Sequence, residues 1–211
     1  WYLGRAVRAN GPRNAAMGFG SVVHALAEEA ASQEVTPHID ELMVHLDRVW
    51  DEVSYDAVWQ ADVERGKARD ALINFLSWQA ANERRLIGAE ESFAMDVTIA
   101  GRNVHLSGKI DRLELTAEGK VVVIDLKTMK SAPSKDSTQE NPQLGLYQLA
   151  VREGALNDAI AQFRELPTPD EEITGGAELV LLRLTSRGKT TVREQSALVA
   201  DEASSATWVG E

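Results

Sequence analysis

The chain has 211 residues, of which 44% are apolar and 26% charged, and this composition excludes a collagen-like, low-complexity or wholly disordered protein. Its 33 acidic and 22 basic side chains give a net charge of −11, which disfavours a partner held chiefly through its phosphates. Because there is no cysteine, disulfides, iron–sulfur clusters and thiol nucleophiles are excluded.

No stretch of the sequence has the length and composition of a membrane span or a signal peptide. The longest apolar run is about four residues, whereas a membrane helix needs roughly 20. The chain begins at Trp1, without an initiator Met and without a signal sequence. We therefore expect a cytoplasmic protein with no membrane partner, and we interpret the chain as a fragment of a larger protein.

Apolar side chains recur at helical spacing in three segments of the N-terminal part. The first predicted helix runs from Met17 to about Ser32. Its apolar stripe comprises Phe19, Val22, Val23, Leu26 and Ala30. The second helix extends from Ile39 to Val53, and the third from about Val58 to Leu86. The first 86 residues are therefore predicted to be all-helical.

Beyond these helices the apolar period changes to two, which is typical of strands. Residues 93–99 and 104–115 are predicted to form a hairpin that turns at Gly101–Asn103. A second turn, at Ala117–Gly119, leads to the continuous apolar run Val121–Ile124. Such a run between turns predicts a central strand that is buried on both faces.

A polar loop and a well-capped helix follow the central strand. The loop is predicted over Ser131–Gln139. Asn141 and Pro142 then supply the N-cap and the first residue of a helix that runs to Arg152 and is stopped by Gly154.

The remainder of the chain is predicted to be a connection and a hairpin. Residues 165–177 form an acidic connection that contains proline and glycine. Two strands, Glu178–Thr185 and Lys189–Glu194, then pair across a turn at Ser186–Gly188.

This order of elements predicts one α/β (α+β) domain over 1–211. A mixed β-sheet core flanked by helices occupies residues 87–211, and a helical cap that carries His24 occupies residues 1–86.

Two aspartates are predicted to face each other on neighbouring strands. Side chains alternate along a strand, so Asp125 and Lys127 share a face about 6.6 Å apart. If the preceding hairpin is centred on Glu118, Asp111 lies directly opposite Asp125. Gly119 suits the left-handed last position of a three-residue loop. The pattern therefore predicts two facing carboxylates with a lysine beside them.

Facing carboxylates repel each other, and two arrangements would relieve the repulsion. In one, a divalent cation lies between Asp111 and Asp125, and their oxygen ligands suit Mg²⁺ or Mn²⁺. In the other, Asp125 forms a structural salt bridge with Lys127 or Lys109. The spacing alone leaves both open.

His24 lies on the first predicted helix but outside its apolar stripe. Its neighbours on that face are Gly20, Ala27 and Ala31, which are small enough to let a ligand or another element approach closely. A metal ligand and an ordinary surface or packing residue are both compatible with this position.

Two further pairs of polar residues are candidates for a site. Gln143 and Tyr147 are four residues apart and share a face near the start of their helix, where they could meet a phosphate or simply pack against the core. Glu90 and Glu91 come just before the first predicted strand, where acidic side chains are usually solvated.

Five segments, in this order, resemble the motifs of RecB-like nucleases. They are Gly18–Leu26 with its G-x-x-x-H pattern, Glu90-x-x-Phe93, Gly108–Leu113 with G-x-x-D-R, Ile124–Thr128 with D-x-K-T, and Gln143–Tyr147 with Q-x-x-x-Y. These nucleases are a branch of the PD-(D/E)xK superfamily and are attached to bacterial recombination helicases such as RecB, AddB and the AdnA/AdnB pair. The resemblance covers roughly residues 17–150.

The resemblance implies a restriction-endonuclease-like fold and a role for each matching residue. The Mg²⁺ or Mn²⁺ ligands would be His24, Asp111, Asp125 and the backbone carbonyl of Leu126, with Glu90 or its neighbour Glu91 as a further member. Lys127 would orient or activate the attacking water, and Gln143 and Tyr147 would support the site or the DNA. The absence of cysteine implies a type without the iron–sulfur cluster of many relatives.

The function implied is metal-dependent hydrolysis of phosphodiester bonds in DNA. We expect an exonuclease that forms the nuclease module of a bacterial recombination or repair helicase–nuclease, with a helicase motor domain or subunit as its partner. One alternative is an RNA- or repair-directed nuclease of the same superfamily. Another is a catalytically idle DNA-binding or scaffold domain of such a complex.

The segment that carries the two aspartates has a positive net charge, although the chain as a whole is acidic. Residues 101–135 contain seven basic and four acidic side chains, a net charge of +3 within a chain of −11. This distribution is compatible with one basic cleft, and it favours DNA delivered by a partner over DNA captured by the domain alone.

Overall fold

The computed structural model describes residues 15–32, 38–50, 58–99, 101–166 and 172–198. Six helices and five strands lie in these ranges. In chain order they are α1 (Ala15–Ser32), α2 (Ile39–Trp50), α3 (Val58–Ala81), β1 (Arg85–Ile99), β2 (Arg102–Leu115), β3 (Val121–Lys127), α4 (Lys135–Gln139), α5 (Pro142–Arg152), α6 (Asn157–Ile160), β4 (Thr174–Ser186) and β5 (Lys189–Gln195). No helix among them is long and apolar enough to cross a membrane.

The five strands form one mixed sheet in the order β1-β2-β3-β4-β5. Strands β1 and β2 are antiparallel, as are β2 and β3. The chain between β3 and β4 carries the three short helices α4–α6. The prediction of an α/β (α+β) fold with a mixed sheet and flanking helices is confirmed, and the architecture is consistent with a restriction-endonuclease-like fold.

The described chain divides into two compact units. The first contains α1–α3 together with Leu126–Ala132 and Val180–Thr191. The second contains Glu83–Asp125, Pro133–Leu179 and the chain from Val192 onward.

The apolar stripes of the helices form the core of the first unit. Of the stripe predicted on α1, Val22, Val23, Leu26 and Ala30 are all fully buried. The largest buried side chains of α2 and α3 are Leu42, Leu46, Leu72 and Phe75. The unit is also joined by hydrogen bonds, since Asn74 of α3 donates to the Leu182 carbonyl (2.8 Å) and accepts at its own carbonyl from Thr190 (2.7 Å).

The third predicted helix ends earlier than its sequence pattern suggests. Helix α3 stops at Ala81, and β1 already begins at Arg85, so the prediction of helix as far as Leu86 is wrong. The physical reason is tertiary, because Arg84 is held by Glu114 and Glu178 of the sheet. The predicted end of the second helix at Val53 lies outside the described residues.

Four charged side chains form an ion network in the second unit. Glu114 is fully buried and accepts hydrogen bonds from Arg112 (2.5 Å) and Arg84 (2.8 Å). Arg84 also makes a bidentate pair with Glu178, at 2.6 and 2.7 Å. Burial disfavours the charge of Arg84, but the hydrogen bonds and charges of Glu178 and Glu114 outweigh it and raise the pKa of the guanidinium. Two positive and two negative charges therefore join the start of β1 to β2 and β4.

Helix α5 begins and ends where the sequence predicts. Asn141 is the N-cap, and its side chain accepts hydrogen bonds from the amides of Gln143 and Leu144. Pro142 is the first helical residue, and Gly154 follows the helix with a φ of 78°. These observations confirm the predicted helix.

Two other predictions about the C-terminal part need correction. The segment predicted as a loop over Ser131–Gln139 contains helix α4, whose N-cap Ser134 accepts a hydrogen bond from the Ser137 amide. Strand β4 begins at Thr174, inside the predicted connection, and has six buried residues among its first eight. The hairpin turn is confirmed, because Arg187 and Gly188 both have positive φ, 52° and 77°.

Candidate active site

The pairing of β2 with β3 runs from Leu115 and Val121 to Arg112 and Ile124. Asp111 and Asp125 are the next residues along these two strands, so the same register continued by one step would bring them opposite each other. The Thr116 N–H donates to the Lys120 carbonyl at 2.9 Å, which closes a three-residue loop whose last residue, Gly119, has a φ of 81°. The register predicted from the sequence is therefore confirmed for residues 112–115 of β2 and 121–124 of β3.

Glu90 lies opposite Asp111 on the other neighbouring strand. Ala89 pairs with Arg112 and Glu91 pairs with Ile110, which leaves Glu90 facing Asp111. Their carboxylates each offer an oxygen, and these oxygens lie within 4.8 Å of each other. Glu91, by contrast, points to the other face of the sheet because it is paired with Ile110.

The backbone at Glu90 is unusual for a strand. Its φ is 54°, in the left-handed region that residues other than glycine rarely adopt. Glu90 was expected before the first strand, but it lies inside β1, whose pairing shifts between Leu86 and Gly88. Strain of this kind persists only where the surrounding structure holds it, and it is concentrated at functional sites.

Lys109 is positively charged and lies next to Glu90. Its ammonium forms an ion pair with a carboxylate oxygen of Glu90. Lys109 is two residues before Asp111 and therefore lies on the same face of β2. This ion pair joins β2 to β1. A salt bridge of Asp125 with Lys109 or Lys127, the alternative that the spacing left open, stays a prediction.

Strand β3 presents the remaining residues predicted for the site. Asp125 is only 2% exposed although it carries a carboxylate, and the strand is buried from Val121 through Leu126. Lys127 ends the strand and is half-buried. Asp125 and Lys127 share a face because they are two residues apart on a strand.

His24 lies on α1, in the helical unit, and is half-buried between fully buried neighbours. Gly20 is one turn before it on the same helix face. A side chain at Gly20 would meet the Thr128 hydroxyl at 3.3 Å, so this face of α1 closely approaches the residue that follows Lys127. The predicted role of the small neighbours, to allow a close approach, is confirmed for Gly20.

Gln143 and Tyr147 of α5 are bonded to each other, and Tyr147 packs against β1 and β2. Gln143 Nε2 donates a hydrogen bond to the Tyr147 hydroxyl at 2.8 Å. The Tyr147 ring is buried and meets Phe93 of β1 edge to face, with 6.0 Å between ring centroids. It also lies over Gly108 of β2. Since Gly108 and Asp111 are three residues apart, their side-chain directions point to opposite faces of the sheet.

A comparison with protein families shows which superfamily the chain belongs to. The family described as the PD-(D/E)XK nuclease superfamily matches residues 1–209. The chain belongs to this superfamily. It is therefore a nuclease domain of a superfamily whose members use divalent metals. Comparison with curated proteins gives no match.

The chain is also similar to a solved structure. Its title is "Crystal structure of SSO0001", and it is 13% identical. The alignment covers 89% of this chain and 81% of that chain, with a TM-score of 0.36.

Sequence reasoning missed two features of the region around the carboxylates. One is the pairing of Lys109 with Glu90, which the motif spacing of β2 would have indicated only with the register of β1 in hand. The other is the ion network of Arg84, Arg112 and Glu114, which begins one residue after Asp111. The first depends on a contact between β1 and β2, and the second on contacts of Arg84, which precedes β1, with Glu114 of β2 and Glu178 of β4.

Gly108 is expected to tolerate no side chain, whereas Gly66 in the middle of α3 should. A Cβ at position 108 would lie 2.8 Å from the buried ring of Phe93, so we expect Gly108→Ala to destabilise the protein by about 1–3 kcal/mol. A Cβ at position 66 meets nothing within 4 Å, so Gly66→Ala should stabilise by about 0.5–1 kcal/mol. Urea unfolding of both variants tests the pair. Equal effects at the two positions would contradict the packing described for Gly108.

Proposed function

We propose that this protein is a deoxyribonuclease that hydrolyses phosphodiester bonds with Mg²⁺ or Mn²⁺ held by Asp111, Asp125 and Glu90. The observation that carries the proposal is the register of β1, β2 and β3, because its continuation by one step puts Asp111 between Glu90 and Asp125 on adjacent strands. Like charges directly opposite each other are destabilising, and a divalent cation bound between them would relieve this repulsion.

The residues present fit a hard divalent cation. Two of the proposed ligands offer oxygens within 4.8 Å of each other, and carboxylate oxygens are the preferred ligands of Mg²⁺ and Mn²⁺. We include the Leu126 carbonyl and His24 in the ligand set. The support for His24 is the approach of its helix face to Thr128, three residues after Asp125.

When bound, the ion would polarise the scissile phosphate and lower the pKa of a coordinated water. Lys127 shares a face with Asp125, so its ammonium can hold the attacking water and offset the negative charge that develops on the phosphate. Tyr147 supports the strands through Phe93 and Gly108, and Gln143, which is exposed and donates to the Tyr147 hydroxyl, is proposed to support the site or the DNA.

The five RecB-like segments support a finer assignment within the superfamily. We propose an exonuclease that works as the nuclease module of a cytoplasmic recombination or repair helicase–nuclease. The charge distribution supports a partner, because the +3 of residues 101–135 is set in a chain of −11. A helicase motor would overcome the repulsion between DNA and the rest of the surface by feeding the strand to the site.

A nuclease assay tests this proposal. The purified protein is incubated with linear, end-blocked linear, circular and single-stranded DNA, in Mg²⁺, in Mn²⁺ and in EDTA. We expect degradation of linear and single-stranded DNA that needs a free end and a divalent ion. Lys127→Met is the matched variant, because it removes the ammonium without touching a proposed ligand.

The same assay separates the alternatives. Cleavage of circular DNA would replace exonuclease by endonuclease activity. With single-stranded RNA as a fifth substrate, cleavage of RNA alone would replace DNA as the proposed substrate. Metal-dependent activity that Lys127→Met retains in full would remove Lys127 from the mechanism. Inactivity of the wild type on every DNA substrate, also after addition of the helicase partner, would favour the idle scaffold domain.

A further inference from the structure

The ion pair between Lys109 and Glu90 lies among the carboxylates that we propose as metal ligands. Glu90 and Asp111 offer oxygens within 4.8 Å of each other, and Lys109 contacts an oxygen of Glu90. The ammonium is therefore a positive charge already placed beside two negative ones.

The contact is built into the strands. Lys109 is paired with Ser92 on β1, two residues after Glu90, and it precedes Asp111 by two residues on β2. Its side chain therefore lies on the same face as both carboxylates. The left-handed φ of 54° at Glu90 sets the direction of the Glu90 side chain, at a cost in backbone strain.

The lysine side chain can leave this position easily. It is 48% exposed, whereas Glu90 is 20% exposed, so the ammonium can return to water along its flexible four-carbon stem. Exposed ion pairs of this kind contribute little free energy, so a divalent ion that binds both carboxylates can displace the ammonium.

We propose that Lys109 is a placeholder cation, which neutralises Glu90 and Asp111 before the metal binds and is displaced when it does. The proposal rests on the proposed function, because it takes these carboxylates as metal ligands. Lys109 then lowers the affinity for the metal and stabilises the metal-free protein. These two effects have opposite signs, which a purely structural salt bridge would not produce.

The test measures Mn²⁺ binding by calorimetry and thermal melting of the whole chain in EDTA and in saturating Mn²⁺. Lys109→Ala and Lys109→Gln should bind Mn²⁺ about two- to fivefold more tightly than the wild type, in line with an exposed ion pair. Both should melt at a lower temperature than the wild type in EDTA, and the difference should disappear in saturating Mn²⁺.

Two control variants separate this pairing from a general effect of charge. Lys109→Arg keeps the positive charge and should retain the wild-type affinity. Arg102→Ala removes an exposed charge from the same strand, seven residues away, and should leave the affinity unchanged. An increase for Arg102→Ala equal to that for Lys109→Ala would overturn the proposal in favour of net charge.

The remaining outcomes are also decisive. Weaker Mn²⁺ binding by Lys109→Ala would overturn the proposal and make Lys109 a positioning residue for Glu90. Unchanged binding in the Lys109 variants would overturn it while leaving the proposed function intact, provided that Asp111→Asn abolishes binding. If Mn²⁺ binds the wild type and Asp111→Asn equally, the proposed function fails, and this inference fails with it.

Discussion

Asp111→Asn is expected to lower nuclease activity by at least about 100-fold while making the metal-free protein slightly more stable. The loss follows from the proposed central position of Asp111, whose carboxylate lies near that of Glu90 and which is one step beyond the last pair of β2 with β3, Arg112 with Ile124. Removal even of groups that only support a metal ligand typically costs 10- to 100-fold, so loss of a ligand should cost more.

The gain in stability has a separate cause. Opposed like charges on neighbouring strands destabilise by about 0.2–1 kcal/mol, and an asparagine of the same shape removes one of them. For a chain of this size, that corresponds to an increase in Tm of about 1–3 °C in EDTA. A gain in stability together with a loss of activity is the trade-off expected at a functional site.

Activity on linear DNA and melting in EDTA test this prediction together. Asp96→Asn is a matched control, because Asp96 is an exposed aspartate of β1 that pairs with His105. The Asp96→Asn variant should have the same activity as the wild type. Asp111→Asn with near wild-type activity would contradict the assignment of the site.

Glu114→Ala is expected to cause the largest loss of stability among single substitutions in the sheet, about 3–5 kcal/mol. Glu114 is fully buried and accepts hydrogen bonds from both Arg84 and Arg112. Its removal leaves two guanidinium groups with one carboxylate. The pKa of Arg84 is raised by its surroundings, so the guanidinium cannot relieve the imbalance by losing its proton.

Urea unfolding measures this loss, and Glu178→Ala is the control. The Glu178 carboxylate is 13% exposed, and Arg84 retains Glu114 when Glu178 is removed. We therefore expect a clearly smaller effect, below about half of that for Glu114→Ala. Equal losses of unfolding free energy in the two variants would contradict this prediction. So would a loss below about 1 kcal/mol for Glu114→Ala, because Glu114 would then not be the centre of the network.

Local rules account for what the sequence predicted well. The register of β2 with β3 follows from the position of Gly119, because a tight loop with a left-handed last residue fixes which residues face each other. Helix α5 follows from Asn141 and Pro142, whose roles depend only on their own backbone and the next turn.

Contacts between strands explain what the sequence did not show. The apolar run that begins at Leu86 can be read as helix or strand, and Arg84 decides between them through Glu114 and Glu178, 30 and 94 residues away. Glu90 faces Asp111 only because the pairing of β1 shifts near Gly88 and its own φ is positive. No local pattern encodes either feature.

The most direct test of the central claim is the effect of Mn²⁺ on the melting temperature of the wild type and of Asp125→Ala. At 100 times its Kd, a ligand that binds only the folded state stabilises it by about 2.7 kcal/mol. For a chain of this size, that is an increase of about 5–10 °C in Tm. If the carboxylates of β1–β3 bind the metal, Mn²⁺ will raise the Tm of the wild type by this amount and barely change that of Asp125→Ala. Equal shifts in the two proteins would contradict a metal site at these residues.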